Sequence, residues 1–242
     1  MHVAVVSDIH GNRHAFEAVL EAIDASEAEQ IWCLGDLVGY GAEPDACVEL
    51  AFDRCDVVLA GNHDLAVTGA LSLEEFSPGA AAAARWTRET IAERNLEALR
   101  PLPPQDLDHD VGLFHASPRD PIWEYVLSTL QAELCLDAQR HRVCLVGHSH
   151  VALAFVRRGD GVAGTACPDR SAADLTQGSW IINPGSVGQP RDGDPRAAWM
   201  LLDLEAWTAS WRRVPYDIAG AQAAIRAAKL PEALAERLGY GQ

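Results

Sequence analysis

The sequence predicts an α/β fold whose second half is rich in strands. Three observations carry that prediction. Short β-branched runs alternate with helical stretches in the first half, strand candidates crowd the chain after the proline stop "RPLPP", and apolar runs repeatedly end in aspartate or histidine beside glycine.

The elements follow in order. Val3 to Val6 is the first strand, a helical stretch runs from Asn12 to Ala25, and "IWCLG" from Ile31 is the second strand, which is βαβ grammar. A second helix covers "PDACVELAF", Pro44 to Phe52, and "VVLAG", Val57 to Gly61, is the third strand. The longest helix is expected over Ala80 to Leu99, started by "SPG" and closed by "RPLPP". Beyond it, "DVGLFH", "VCLVGH", "ALAFVRR", "SWIIN", "AAWMLLDL" and "ASWRRVPY" read as strands, with one clear helix among them, Thr129 to Gln139. Residues 159–178 read as a long hairpin or surface loop, and a last amphipathic helix is expected from Ala219 to Leu238.

The 242 residues suit one α/β domain spanning 1–242, with no internal repeat and no linker. No apolar run approaches the ~18 residues that span a bilayer, and Val3 to Val6 is too short for a signal-peptide core, so a cytoplasmic protein is expected. The six cysteines show no CxxC spacing, and Cys33 and Cys144 lie in apolar runs, which fits reduced thiols used as small apolar residues. A net charge of −16 argues against a nucleic-acid groove or an anionic membrane surface, because both require a basic footprint. Any anion bound here must be drawn by strong local positive charge such as metal ions.

The ends of the apolar runs supply candidates for holding such ions. "VAVVSDIH" ends in Asp8 and His10, "IWCLGD" in Asp36, "VVLAGNHD" in Asn62, His63 and Asp64, "VGLFH" in His115, and "VCLVGHSH" in His148 and His150. A single His pair after a strand reads as a polar turn. Five strand ends of the same kind read as a shared site, since the carboxyl ends of strands in an open α/β sheet form its ligand crevice. Asp8 and His10, and likewise His148 and His150, would share one face if their strands continued. Carboxylate, imidazole and amide oxygen suit borderline divalent ions such as Mn, Fe, Zn, Ni or Co, and the absence of cysteine argues against structural zinc. Seven ligands are too many for one ion and suit two, with Asp36 as the natural bridge. Two such ions form the clamp of phosphoryl displacement, with a bridging hydroxide as nucleophile.

The ordered set DIH, GD, GNHD, a lone His and GHSH resembles the calcineurin-like metallophosphoesterase superfamily, and "NPGSVGQPR" (Asn183 to Arg191) resembles its small bacterial and archaeal cytoplasmic subgroup. The resemblance implies a four-layer α/β/β/α sandwich of two mixed sheets. It implies a first metal on Asp8, His10, Asp36 and His150, and a second on Asp36, Asn62, His115 and His148, with Mn the expected activator in vitro. His63 is then left free to act as general acid or charge stabiliser toward the leaving oxygen. Asp64 either orients His63 or builds a turn.

The chain departs from the protein phosphatases of that superfamily, whose second motif is GDxxDRG, because it reads "GDLVGYG". Without that arginine, and with an acidic surface, a small phosphodiester is the expected substrate ahead of a monoester. Arg191 or Arg196 would reverse the preference by reaching the phosphate. The rival reading is an interaction scaffold of the same fold with an incomplete metal site, and competent side chains at all seven ligand positions and at His63 favour the enzyme. A serine hydrolase is disfavoured because neither Ser149 nor Ser186 lies in a GxSxG elbow. His2, His14, His109 and His141 are read as surface or packing residues, and Trp32, Trp180 and Trp199 as core. No feature of the sequence speaks to oligomeric state.

Overall fold

Alternation within the short strands builds the architecture. In β1 (His2–Val6), Val3 and Val5 point to one side and Ala4 and Val6 to the other, and all four are fully buried. A strand buried on both faces must lie between two layers. The computed structural model describes residues 1–242. After β1 come α1 (Arg13–Asp24), β2 (Gln30–Cys33), α2 (Pro44–Arg54), β3 (Val57–Val58), α3 (Asn62–Thr68), α4 (Pro78–Thr90) and α5 (Glu93–Leu99). The second half contains β4 (Gln105–Asp106), β5 (Gly112–Phe114), α6 (Thr129–Ala138), β6 (Val143–Leu145), β7 (Leu153–Arg158), β8 (Gly161–Ala166) and β9 (Ala172–Asp174). It closes with β10 (Ser179–Asn183), β11 (Ala197–Asp203), β12 (Thr208–Val214), α7 (Ile218–Ala227), α8 (Glu232–Glu236) and a 3₁₀ turn over Arg237–Gly239.

Two six-stranded sheets result, ordered β3-β2-β1-β11-β12-β9 and β4-β5-β6-β10-β7-β8. Each is mixed: β1, β2 and β3 run parallel, as do β5, β6 and β10, and the remaining neighbours are antiparallel. Between the sheets lie Val3, Val5 and Trp32 from one and Val143, Leu145, Trp180 and Ile182 from the other. Outside the first sheet, Phe16 and Val19 of α1 and Val48 of α2 cover Ala4, Val6 and Cys33. Outside the second, Ala132, Cys135 and Leu136 of α6 cover Cys144, Phe155 and Ile181. The fold is therefore the α/β/β/α arrangement of two mixed sheets. Trp32, Trp180 and Trp199 are core residues, and all six cysteines are unpaired thiols. No helix is long and apolar enough to cross a membrane.

Four expectations need correction. The helix over Ala80 to Leu99 is two helices, because Ile91 is extended (φ −64°, ψ 137°) and Asp45 Oδ1 accepts from the Ala92 N–H at 2.9 Å and from Asn95 Nδ2 at 2.6 Å, which starts α5 afresh. The helix over Ala219 to Leu238 breaks at Lys229, which is left-handed (φ 58°), and at Pro231, which caps α8. Strand "VVLAG" pairs only at Val57–Val58, and "NHDLAVT" forms α3, a helix that its short length concealed. Residues 159–178 include the β7–β8 hairpin, but β9 then crosses to the other sheet and pairs with β12.

Candidate metal centre

The polar strand ends of both sheets converge. Asp8 and His10 follow β1, Asp36 follows β2, Asn62 and His63 open α3, His115 follows β5, and His148 and His150 follow β6. None of these residues is more than 4% exposed. The pairs do not converge by continuing their strands, contrary to the expectation for Asp8/His10 and His148/His150. β1 ends at Val6 and β6 at Leu145, and left-handed turns then aim the side chains inward. Asp8, His10, Asp36, Tyr40, His148 and His150 are six of the nine non-glycine residues with positive φ. Such conformations cost of order 1 kcal/mol or more each and persist where the surroundings over-determine them.

Two glycines permit the close packing. A Cβ on Gly61 would fall 2.0 Å from Asp36 Oδ1, and one on Gly39, which has φ +89°, would fall 2.3 Å from His63 Nδ1.

Asp8, His10, Asp36 and His150 each place one donor atom within 4.8 Å of the others, and so do Asp36, His115 and His148. Asp36 belongs to both sets: its Oδ2 lies 3.5 Å from His10 Nε2 and 3.6 Å from His115 Nε2. Asn62 joins the second set, with Oδ1 3.2 Å from His115 Nε2. Backbone carbonyls hold three of the rings by Nδ1: Val38 O on His10 at 3.0 Å, Leu34 O on His115 at 2.9 Å and Gln189 O on His150 at 2.6 Å. A carbonyl only accepts, so each Nδ1 carries a proton and each ring turns its Nε2 inward.

These donors fit a cationic occupant. The Nε2 atoms of His10 and His150 stand 3.0 Å apart, lone pair to lone pair, an arrangement that needs positive charge between them. Asp36 Oδ2 and His148 Nε2 are buried with no hydrogen-bond partner, which is costly for polar atoms unless something else satisfies them. Burial pushes His10, His148 and His150 well below the ordinary imidazole range, so they are neutral, and it raises Asp36 well above the carboxylate range. Burial likewise pushes Asp8 up to about 7. In the metal-free fold Asp8 and Asp36 therefore favour their protonated forms, and a divalent ion entering between these donors would displace those protons.

His63 stands apart from the two ligand sets. Its backbone N–H donates to Asp36 Oδ1 at 2.8 Å, its Nδ1 has no partner, and its ring packs against Tyr40 (4.4 Å) and Phe76 (5.0 Å). Burial, with Arg191 nearby, lowers it to about 3. Asp64 builds a turn and is not seen to orient His63: its carboxylate accepts the N–H groups of Leu37, Val38 and Gly61, pinning the GD and GNHD loops together.

All eight residues singled out from the sequence line this one centre, and a cavity of about 290 Å³ opens onto it. Arg191 lines the cavity; Arg196 does not, and pairs instead with Asp194 and Asp169. Sequence reasoning missed Tyr40, Phe76, Trp123, Tyr125 and Arg237, which join Glu75, Ser77 and Ala80 in the walls. The "GYG" after Asp36 signals a special turn and points toward Tyr40. No sequence signal marks the other four.

Comparison with known proteins agrees with this geometry. The family model described as the calcineurin-like phosphoesterase superfamily domain matches residues 1–206. A metallophosphoesterase structure from Sphaerobacter thermophilus is 42% identical, with a TM-score of 0.91 over 100% of this chain and 99% of that one. An uncharacterised protein of Methanocaldococcus jannaschii is 38% identical over 99% of this chain and 98% of its own length. A Pyrococcus horikoshii structure shares the fold at a TM-score of 0.81 and 23% identity, covering 100% of this chain and 98% of that one. Because the matched stretch runs through every strand end that carries these aspartates and histidines, the chain belongs to the calcineurin-like phosphoesterase superfamily.

Proposed function

We propose that the protein is a phosphoesterase that works with two divalent transition-metal ions and hydrolyses small phosphate esters. The observation that carries this reading is Asp36 Oδ2, buried, unpartnered and shared between two sets of inward-facing donors. Asp8, His10, Asp36 and His150 would hold one ion, and Asp36, Asn62, His115 and His148 the other. When bound, the ions supply Lewis-acid polarisation of the phosphoryl oxygens and an acidified water as nucleophile. Carbonyl-held rings keep their Nε2 atoms directed inward, so little reorganisation is needed when the site loads. His63, outside both ligand sets and next to Asp36, donates a hydrogen bond from its neutral ring to the leaving oxygen. Tyr40, Phe76 and Trp123 exclude water around it.

The charge argument for diesters loses its premise, since Arg191 and Arg237 both line the cavity. Arg191, next to His150, can meet the second negative charge of a monoester, so monoesters are accepted as well as diesters. The chain works as one unit, because α7 packs on α1 and the C-terminal turn contributes Arg237 to the cavity wall.

The test is metal content together with activity. Protein reconstituted with Mn²⁺ and gel-filtered is expected to keep two equivalents per chain and to hydrolyse nitrophenyl phosphate esters. Zero retained metal and no turnover across Mn, Ni, Co, Zn and Mg would leave the scaffold reading.

A further inference from the structure

Two arginines stand over the same ring at the mouth of the cavity. The guanidinium carbon of Arg191 lies 5.6 Å from the Tyr40 ring centroid and that of Arg237 lies 5.9 Å from it, and Tyr40 itself packs against His63 at 4.4 Å. Both side chains line the cavity beside His148 and His150. Arg191 adjoins the ligands, its backbone N–H donating to the His150 carbonyl at 3.1 Å. One terminal nitrogen of Arg191 reaches Gln189 Oε1 at 2.8 Å, while its Nε is buried without a partner. Arg237 donates through Nε to the Gln242 carbonyl at 2.5 Å, and its terminal nitrogens make no hydrogen bond within the protein.

The chain has 35 acidic residues, and many arginines take one of them as partner, as the buried Arg213 and the more exposed Arg196 and Arg226 do. No Asp or Glu side chain forms an ion pair with Arg191 or Arg237, although Glu75 lines the same cavity and the Arg191 charge acts on the buried Asp8 and Asp36 carboxyls. Two like charges kept together and unpaired in an acidic protein repel unless an anion joins them, and burial together with Arg191 indeed pulls Arg237 below its ordinary value.

Arg237 is also delivered by a deliberate piece of structure. It lies beyond residue 206, where the family match ends, on the turn after α8. Leu234, Ala235 and Leu238 anchor that turn in an apolar cluster with Ala83 of α4, and the Gly193 N–H donates to the Gly241 carbonyl at 3.0 Å, tying the turn to the loop that follows Arg191.

We infer that Arg237, together with Arg191, whose fork is shared with the scissile group, forms a second anion subsite beside the scissile position, so that the preferred substrate carries a further phosphate group next to the ester that is cut. This rests on the phosphoesterase reading above and deepens it. Guanidiniums present a planar donor fork that matches phosphate oxygens, and the two together can grip a dianion from two sides. Arg237 acts as a specificity residue supplied by the C-terminal segment.

The test uses two substrates with one leaving group, the 5′-nitrophenyl phosphate diester of thymidine with a free 3′-hydroxyl and the same diester with a 3′-phosphate, on the Mn²⁺-loaded protein. The wild type is expected to favour the 3′-phosphorylated substrate at least tenfold in kcat/KM, mostly through KM. Arg237→Gln should remove that preference, Arg237→Lys should restore part of it, and Arg226→Gln, a surface pair in the same segment, should leave both activities as they are. Equal use of the two substrates by the wild type, or equal loss on both in Arg237→Gln, overturns the subsite while the phosphoesterase reading stands. Hydrolysis of neither diester by wild-type protein that holds two ions and cleaves nitrophenyl phosphate overturns the subsite alone, and hydrolysis of none of the three overturns both.

Discussion

The backbone N–H of His63 donates to Oδ1 of Asp36 at 2.8 Å, which leaves Oδ2 of that carboxylate between His10 and His115. One oxygen is thereby engaged at the first turn of α3 and the other is left for the metal centre. The group proposed to serve the leaving oxygen and the group proposed to bridge the ions are held in register by a single hydrogen bond, so disturbing either is expected to be felt by the other.

Asp36→Asn tests the bridge. An amide is neutral and offers one acceptor oxygen, so it is a poor link between two cations. The variant is expected to lose both ions on gel filtration and to fall at least roughly 10³-fold in turnover, the scale of several kcal/mol of transition-state stabilisation. Metal analysis by plasma emission decides it: two retained equivalents with normal turnover would refute the bridging role.

His63→Ala is expected to keep both ions and lose roughly 10² to 10⁴ in turnover, with a smaller loss on nitrophenyl esters, whose leaving group needs little help. Gly39→Ala should act on the same ring from behind, since the added Cβ would fall 2.3 Å from His63 Nδ1 in a backbone with φ +89°. Its expected signature is reduced turnover at unchanged metal content. A parallel fall of metal and activity in His63→Ala would make His63 a ligand.

The metal effect on stability should grow with pH. Asp8 is raised to about 7 in the fold, above the value of about 3.9 in an unfolded chain, so between those values the metal-free fold holds a proton that the unfolded chain releases. That contribution to stability is present at low pH and is lost as pH rises toward 7. A divalent ion must displace the same proton, which is bound at pH 5.5 and gone at pH 8; the proton that burial favours on Asp36 competes in the same direction, whereas His10, His148 and His150, held neutral by burial, present no such competition at either pH. Mn²⁺ is therefore expected to raise Tm more at pH 8 than at pH 5.5, by about 2 kcal/mol or roughly 4–8 °C. Paired melts in Mn²⁺ and in EDTA at each pH check this, and equal increments would count against it.

Much of the candidate centre is legible because its donor residues punctuate apolar runs, and a strand followed by Gly and Asp or His is a local pattern. Asp8, Asp36 and His150 were found that way even though β1, β2 and β6 lie far apart in the chain. What brings the pairs inward was not legible: the alternation rule assumed that the strands continue, whereas left-handed turns at Asp8, His10, His148 and His150 do the work. The break between α4 and α5 depends on Asp45, 47 residues before the Ala92 N–H that it accepts, so no local window contains it. Arg237 was hidden for the same reason, since only the packing of Leu238 and its neighbours on α4 brings it to Tyr40.

Arg191 gives the sharpest comparison of ester classes. A monoester presents close to two negative charges near neutrality and a diester one, so a guanidinium at the site matters more for the monoester. Arg191 lines the cavity with a buried, unpartnered Nε, and its backbone N–H is held by the His150 carbonyl. The wild type is accordingly expected to use nitrophenyl phosphate at least as well as bis-nitrophenyl phosphate. Arg191→Ala should lose about 1.5–3 kcal/mol of a charge-assisted contact on the monoester, roughly 10- to 100-fold in kcat/KM, and markedly less on the diester. Both rates are measured with one metal at one pH, and metal content is verified because Arg191 adjoins a ligand loop. The acidic surface adds a long-range penalty on dianions that salt screens, so the ratio of the two rates should be taken again at high ionic strength. If the ratio is already weighted to the diester in the wild type and Arg191→Ala does not move it, the guanidinium is not a phosphate contact, and the diester preference expected from the missing GDxxDRG arginine is restored.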